Sequence, residues 1–184
     1  MKKAILLVTL LTIVSTYSFA NNNTPNNNAG QSFIVTNTND TLFGEVTLQM
    51  EENSATVSFT NGETGENKSY EPFQIKGYAD KGAFFESKLY NLSKEMNYGY
   101  NVFMERKADG FAKVYHFTDN DKTKVFIENE AGKMTEVSGM NFRTEMSKFF
   151  DNCPPLKAKI LRGVYKKKDL ELIVADYNKW KTKG

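Results

Sequence analysis

The chain has 184 residues, with 24 Lys and Arg against 22 Asp and Glu, and only one cysteine and one histidine. A lone cysteine excludes an intramolecular disulfide, and a lone histidine excludes the two-histidine zinc motifs. So even a charge balance leaves no overall electrostatic footprint for nucleic acid. Hydrophobic residues make up 40% and aromatics 13%, enough large apolar surface for the core of one domain.

Residues 1–20 carry the parts of a secretory signal peptide. Lys2 and Lys3 form a positive start, an apolar run follows, and Ser18-Phe19-Ala20 ends in the small-residue spacing a cleavage site needs. Cleavage is expected after Ala20, giving a periplasmic or secreted mature chain. No cysteine lies near the site to take a lipid, and no later stretch approaches the ~20 apolar residues of a membrane span. Without Lys2 and Lys3 the two charge signs balance at 22 each. Residues 21–31 follow as an Asn-rich linker whose polar composition cannot bury apolar surface.

From 32 to 138 the pattern is strand-like. Phe33 and Val35 alternate with Ile34 and Thr36, and Asn39-Asp40 marks a turn into 41–48. Val57 and Phe59 share one face of 55–60, and Asn61-Gly62 opens a polar loop over 61–68. Aromatic and β-branched runs over 70–78, 83–92, 98–107, 111–118 and 122–130 are each bounded by Gly, Asp or Asn. Together they predict an antiparallel β-meander of roughly seven to nine strands, barrel-like or sandwich-like.

After Gly139 the period changes to that of a helix. Phe142, Met146, Phe149 and Phe150 recur on one face, with Asn141 at the N-cap position. Pro154-Pro155 ends that helix and suits the first turn of the next, which carries Leu156, Ile160 and Leu161. Leu170, Ile173, Val174, Tyr177 and Trp180 form the stripe of a third. The fold expected is α+β: one domain over 32–184, a sheet over 32–138 followed by three C-terminal helices over 139–184.

Reactive constellations are scarce. No phosphate-binding glycine motif and no G-x-S-x-G elbow occurs, and His116 and Cys153 have nothing in sequence that joins them. Cys153 reads as a buried apolar residue among aromatic and proline neighbours. Asp119, Asp121 and Thr123 begin like a calcium loop but lack its glycine and closing glutamate, so they read as a turn. Lys166-Lys167-Lys168 reads as a solvated turn between helices. The positive signal is aromatic. Tyr98 and Tyr100 share a strand face and Tyr115 is placed on a neighbouring strand, a row on which a sugar ring or peptide could stack, though such rows also serve cross-strand packing. No catalytic residue, metal or cofactor is expected.

Two stretches carry a resemblance. Phe33-Ile34-Val35-Thr36 followed by residues 39–46 resembles the opening strand and G-D-T-I-x-G-x-I element of uncharacterised exported proteins common in Bacteroidetes, and residues 71–78 resemble their Y-x-P-x-x-I-x-G-F stretch. Asp151, Cys153-Pro154, Leu156, Tyr165, Ile173-Val174 and Tyr177-Asn178 resemble the D-C-P-x-L and I-V-x-x-Y-N elements of the same family. This chain departs at Asn39, where glycine is usual, and at Asn152, which separates Asp151 from Cys153. The resemblance implies export and a sheet-then-helices order, and transfers no catalytic residue. The function expected is an exported, non-enzymatic binding module for an envelope protein or small ligand, with a carboxylate-dependent hydrolase of glycan or peptide as the alternative.

Overall fold

The computed structural model describes residues 31–51, 54–91, 99–119 and 121–183. Ten strands and three α-helices are found among them. The strands are β1 (Phe33–Thr36), β2 (Thr41–Glu51), β3 (Ser54–Asn61), β4 (Asn67–Tyr70), β5 (Ile75–Asp80), β6 (Ala83–Asn91), β7 (Gly99–Ala108), β8 (Lys113–Asp119), β9 (Lys122–Glu128) and β10 (Met134–Glu136). The helices are α1 (Phe142–Phe149), α2 (Pro154–Leu161) and α3 (Leu170–Lys181). The α+β architecture is therefore as the sequence reads, and Tyr98 lies outside the described residues.

All strand pairs are antiparallel, in the order β10-β9-β8-β7-β6-β5-β1-β2-β3-β4. The sheet is not closed into a barrel, and β4 and β10 stand at its edges. It departs from a plain meander at one point: β1 inserts between β2 and β5, so β4 and β5 are neighbours in sequence but not in the sheet. Two local readings also change. The expected loop over 61–68 ends in β4, and the expected strand over 70–78 is split by a 3-10 turn at Pro72–Gln74. Proline explains the split, since it has no N–H to give a ladder.

Asn39 adopts φ 71°, the left-handed conformation for which glycine is favoured and asparagine tolerated. Its turn pairs Ile34 with Leu42. Gly44 is required for a different reason: a Cβ there would lie 2.0 Å from the Thr60 carbonyl oxygen and 2.8 Å from the Phe59 ring.

Alternation sends residues of each strand to opposite faces. On one face, Ile34, Val57, Phe59, Tyr78 and Phe103 form the core of the N-terminal half. The sheet curls around it, bringing β3 against β7 and the 3-10 turn. Further along the same face, Val114 and Ile127 join Phe142, Met146, Phe150, Cys153, Leu156, Ile160, Ile173 and Val174 in the core beneath the helices. Cys153 is buried there. Asn178 fastens α3 to the β7–β8 loop. Its amide nitrogen donates to the carbonyls of Asp109 (2.9 Å) and Ala112 (3.0 Å), and its oxygen accepts from Ala112 N–H (2.8 Å). No helix among the described residues is long and apolar enough to cross a membrane.

Candidate functional site

The other face of β6–β9, away from the helices, carries a third buried cluster: Tyr90, Val102, Met104, Tyr115 and Phe126. Register fixes its layout. Tyr90 lies opposite Tyr100, Glu86 opposite Met104, Arg106 opposite Tyr115, and Tyr115 opposite Phe126. The charged residues that alternate onto this face are Glu86 and Lys88 of β6, Arg106 of β7, Lys113 and Asp119 of β8, and Lys122, Lys124 and Glu128 of β9.

Lys88 and Tyr115 sit at the centre of one polar network. Lys88 Nζ donates to Glu128 Oε1 (3.0 Å) and Oε2 (2.9 Å), and pairs with Glu86 Oε1 at 2.8 Å. The Tyr115 hydroxyl lies 2.9 Å from Glu86 Oε2 and 2.8 Å from Glu128 Oε2, and serves one of them at a time with its single proton. Arg106 Nη1 stands 3.6 Å from Glu86 Oε2 and 3.3 Å from Asp109 Oδ2. Lys88 on β6 reaches Glu128 on β9 across three strand spacings, about 14 Å on a flat sheet, so the face is dished here.

The side chains of Lys88, Glu86 and Glu128 are only 15%, 20% and 11% exposed. Pairing is what makes such burial tolerable, because an uncompensated charge this deep is strongly destabilising. The same side chains cover the aromatics: the Lys88 ammonium sits 4.7 Å over the Tyr115 ring and the Arg106 guanidinium 4.5 Å over Phe84. Burial alone would raise the Glu86 carboxyl, but the hydrogen bond and charge of Lys88, the charge of Lys113 and the Tyr115 hydroxyl together outweigh it and hold Glu86 below the ordinary carboxylate range. Burial first, then the neighbouring Glu86 charge, pushes the Tyr115 phenol well above its ordinary range. At neutral pH the network thus holds an ionised Glu86 and a protonated Tyr115. This is an arrangement that fixes geometry and offers no ready proton from either group.

One end of the face is aromatic. Tyr90 is nearly buried, edge-on to Tyr100 at 5.8 Å and tilted against Phe117 at 5.0 Å. Both neighbours are half-buried. Lys124 bonds Asp119 at 2.8 Å, contacts the Tyr90 hydroxyl, and lies 4.9 Å over the Tyr90 ring. That hydrogen bond raises Lys124 and lowers Asp119. Asp119 is thus engaged with a lysine, in keeping with a turn rather than a calcium loop.

Tyr100 and Tyr115 therefore do share a face, as the sequence reading placed them. Tyr115, however, is fully buried with Lys88 over its ring, so stacking a ligand on it requires Lys88 to move. Tyr100 and Phe117 are the rings that reach the surface. Sequence reading did not find Glu86, Lys88, Arg106 and Glu128. The only local signal was their period-2 spacing on β6 and β9, which a solvated strand face shares.

On the helix side, a half-open cleft of about 440 Å³ is lined by His116, Val125, Lys167, Lys168, Leu170 and Glu171. His116 Nε2 stands 4.0 Å from Glu171 Oε1. Burial, aided by Lys107, lowers its pKa. Cys153 lines a separate groove with Leu156 and Trp180, so the lone histidine and lone cysteine are not brought together. Among the described residues no group of three or more His, Cys, Asp or Glu side chains is placed to hold a metal ion. Comparison with protein-family models, with curated proteins and with solved structures finds no match for this chain.

Proposed function

We propose that the protein is an exported, non-enzymatic binding module, periplasmic or secreted, whose ligand face is the helix-free face of β6–β9. The carrying observation is the pairing of half-buried Tyr100 and Phe117 around Tyr90 with the Lys124–Asp119 ion pair beside them. Aromatic faces next to fixed hydrogen-bonding charges suit a glycan ring or a peptide side chain. The rigid lattice behind them supports that use, because pre-organised side chains lose little freedom on binding. The leader-like residues 1–20, and the likeness to exported Bacteroidetes proteins, support the address.

The competing reading is a carboxylate-dependent hydrolase acting on glycan or peptide through Glu86 and Glu128. Binding is favoured because both carboxylates are tied to Lys88 and Tyr115, and Glu86 is held ionised rather than raised into the range of a general acid.

Titration of the isotope-labelled protein with a panel of envelope glycans and peptides, followed by NMR, tests the proposal. A binder is expected to shift resonances of Tyr100, Phe117 and Lys124, and Tyr100→Ala to weaken it at least tenfold with the fold retained. Turnover of a panel member that Glu86→Gln or Glu128→Gln abolishes would overturn it in favour of the hydrolase.

A further inference from the structure

With a net of only +2 over the whole chain, the charge is segregated along it. Residues 39–71 contain seven acidic residues against one lysine, a net −6, and residues 139–184 contain eleven Lys and Arg against five Asp and Glu, a net +6. In strand order the two are apart, although the curl of the sheet brings β3 against β7. The acidic segment builds β2, β3 and the edge strand β4, whereas the helices share a core with β8 and β9 towards the other end of the strand order.

Part of each set is exposed and without an ion pair, although Lys157, Lys159 and Lys181 are paired with Asp151, Asp176 and Glu130. Glu45, Glu63, Glu66 and Glu71 are exposed, and none forms an ion pair among the described residues. The same holds for Arg162, Lys166, Lys167, Lys168, Lys179 and Lys183. On the helix-free face Lys88, Arg106 and Lys124 have carboxylate partners, whereas Lys113 and Lys122 form no ion pair among the described residues. Both segments also carry exposed apolar side chains: Leu48 and Met50 (43% and 69% exposed) on the face of β2 opposite Glu45, and Val164 and Leu172 (60% and 63%) at the helices.

We propose that the basic outer surface of the helices docks the acidic β2–β4 ribbon of a second copy of this chain, head to tail. Opposite net charge of equal size on two segments of one chain makes another copy a complementary partner. The two patches differ, so the contact is heterologous. Each docked pair leaves one acidic and one basic patch free, and the contact can repeat. Exposed charges are screened beyond ~10 Å at 0.1 M salt, which makes the association salt-sensitive.

Sedimentation velocity on the purified protein at 50 and 500 mM NaCl tests this. Species above the monomer are expected at low salt, increasing with protein concentration, with the dissociation constant weakened at least tenfold at high salt. Lys166→Gln/Lys167→Gln/Lys168→Gln and Glu63→Gln/Glu66→Gln/Glu71→Gln each neutralise one patch at exposed positions, and each variant alone should remain monomeric with an unchanged melting curve. Mixed together, they should form dimers and stop there, because only one functional patch of each sign remains. Three outcomes overturn the proposal: a monomer at every concentration at low salt, self-association indifferent to both variants, or a monomer that instead co-sediments with anionic vesicles through the three lysines.

Discussion

On the helix side of β6–β9, Val114 and Ile127 are fully buried in one apolar cluster with Phe150, Ile173 and Val174. On the opposite side, Met104 and Tyr115 are just as fully buried, under a roof of Lys88, Arg106, Glu86 and Glu128. The two faces use different physics. Burial beneath helices is non-directional and tolerates small shifts. Burial beneath paired charges is directional: each carboxylate oxygen has a named donor, and the loss of one partner strands the others. A face built the second way is rigid while still presenting polar atoms and ring edges to solvent, which is what a recognition surface needs.

The comparison can be broken from either side. The largest effect is expected from Ile173→Ala, which empties a fully buried site in the helix layer and should lower unfolding free energy by about 4 kcal/mol in urea titrations. Lys88→Met comes next, at about 3 kcal/mol, because it keeps the stem over Tyr115 while leaving Glu86 and Glu128 without their shared cation. If Lys88→Met proves neutral, the roof is decoration and Tyr115 is held by its ring alone. Tyr115→Phe should be milder, about 1.5 kcal/mol, since Lys88 still holds both carboxylates.

Acid separates the faces by the slope of stability against pH rather than by size. Glu86 binds its proton less readily folded than unfolded, so its contribution is complete above the ordinary carboxylate range. It is lost as pH falls through that range to the lowered folded value. Glu86→Gln should flatten the stability–pH curve over that window, and Ile173→Ala should shift the curve down without changing its slope.

Much of the fold was legible because it is written locally. Alternation in β1, β2, β3 and β9, the turn at Asn39 and the helical stripe through Ile173, Val174 and Tyr177 each depend on neighbours a few residues apart. The buried state of Cys153 followed from its neighbours as well. β4 was missed because Asn67–Tyr70 is polar and exposed on an edge, with no apolar alternation to reveal it. The insertion of β1 between β2 and β5 is a long-range choice that no local pattern encodes. The same reason hides the network: Lys88 and Glu128 are 40 residues apart, and each reads on its own as a solvated charge. Tyr115 was picked out as an aromatic, yet its distinguishing feature is a hydroxyl set between two distant carboxylates.

A double-mutant cycle tests most directly whether ionic pairing, rather than the apolar stem of Lys88, buries this face. Urea unfolding would be measured for Lys88→Met in the wild-type chain and in a Glu86→Gln/Glu128→Gln background. Pairing as described should make the substitution cost about 3 kcal/mol in the first and less than about 1 kcal/mol in the second, where no carboxylate is stranded. Equal costs in the two backgrounds would contradict it, and would return the helix-free face to ordinary apolar packing.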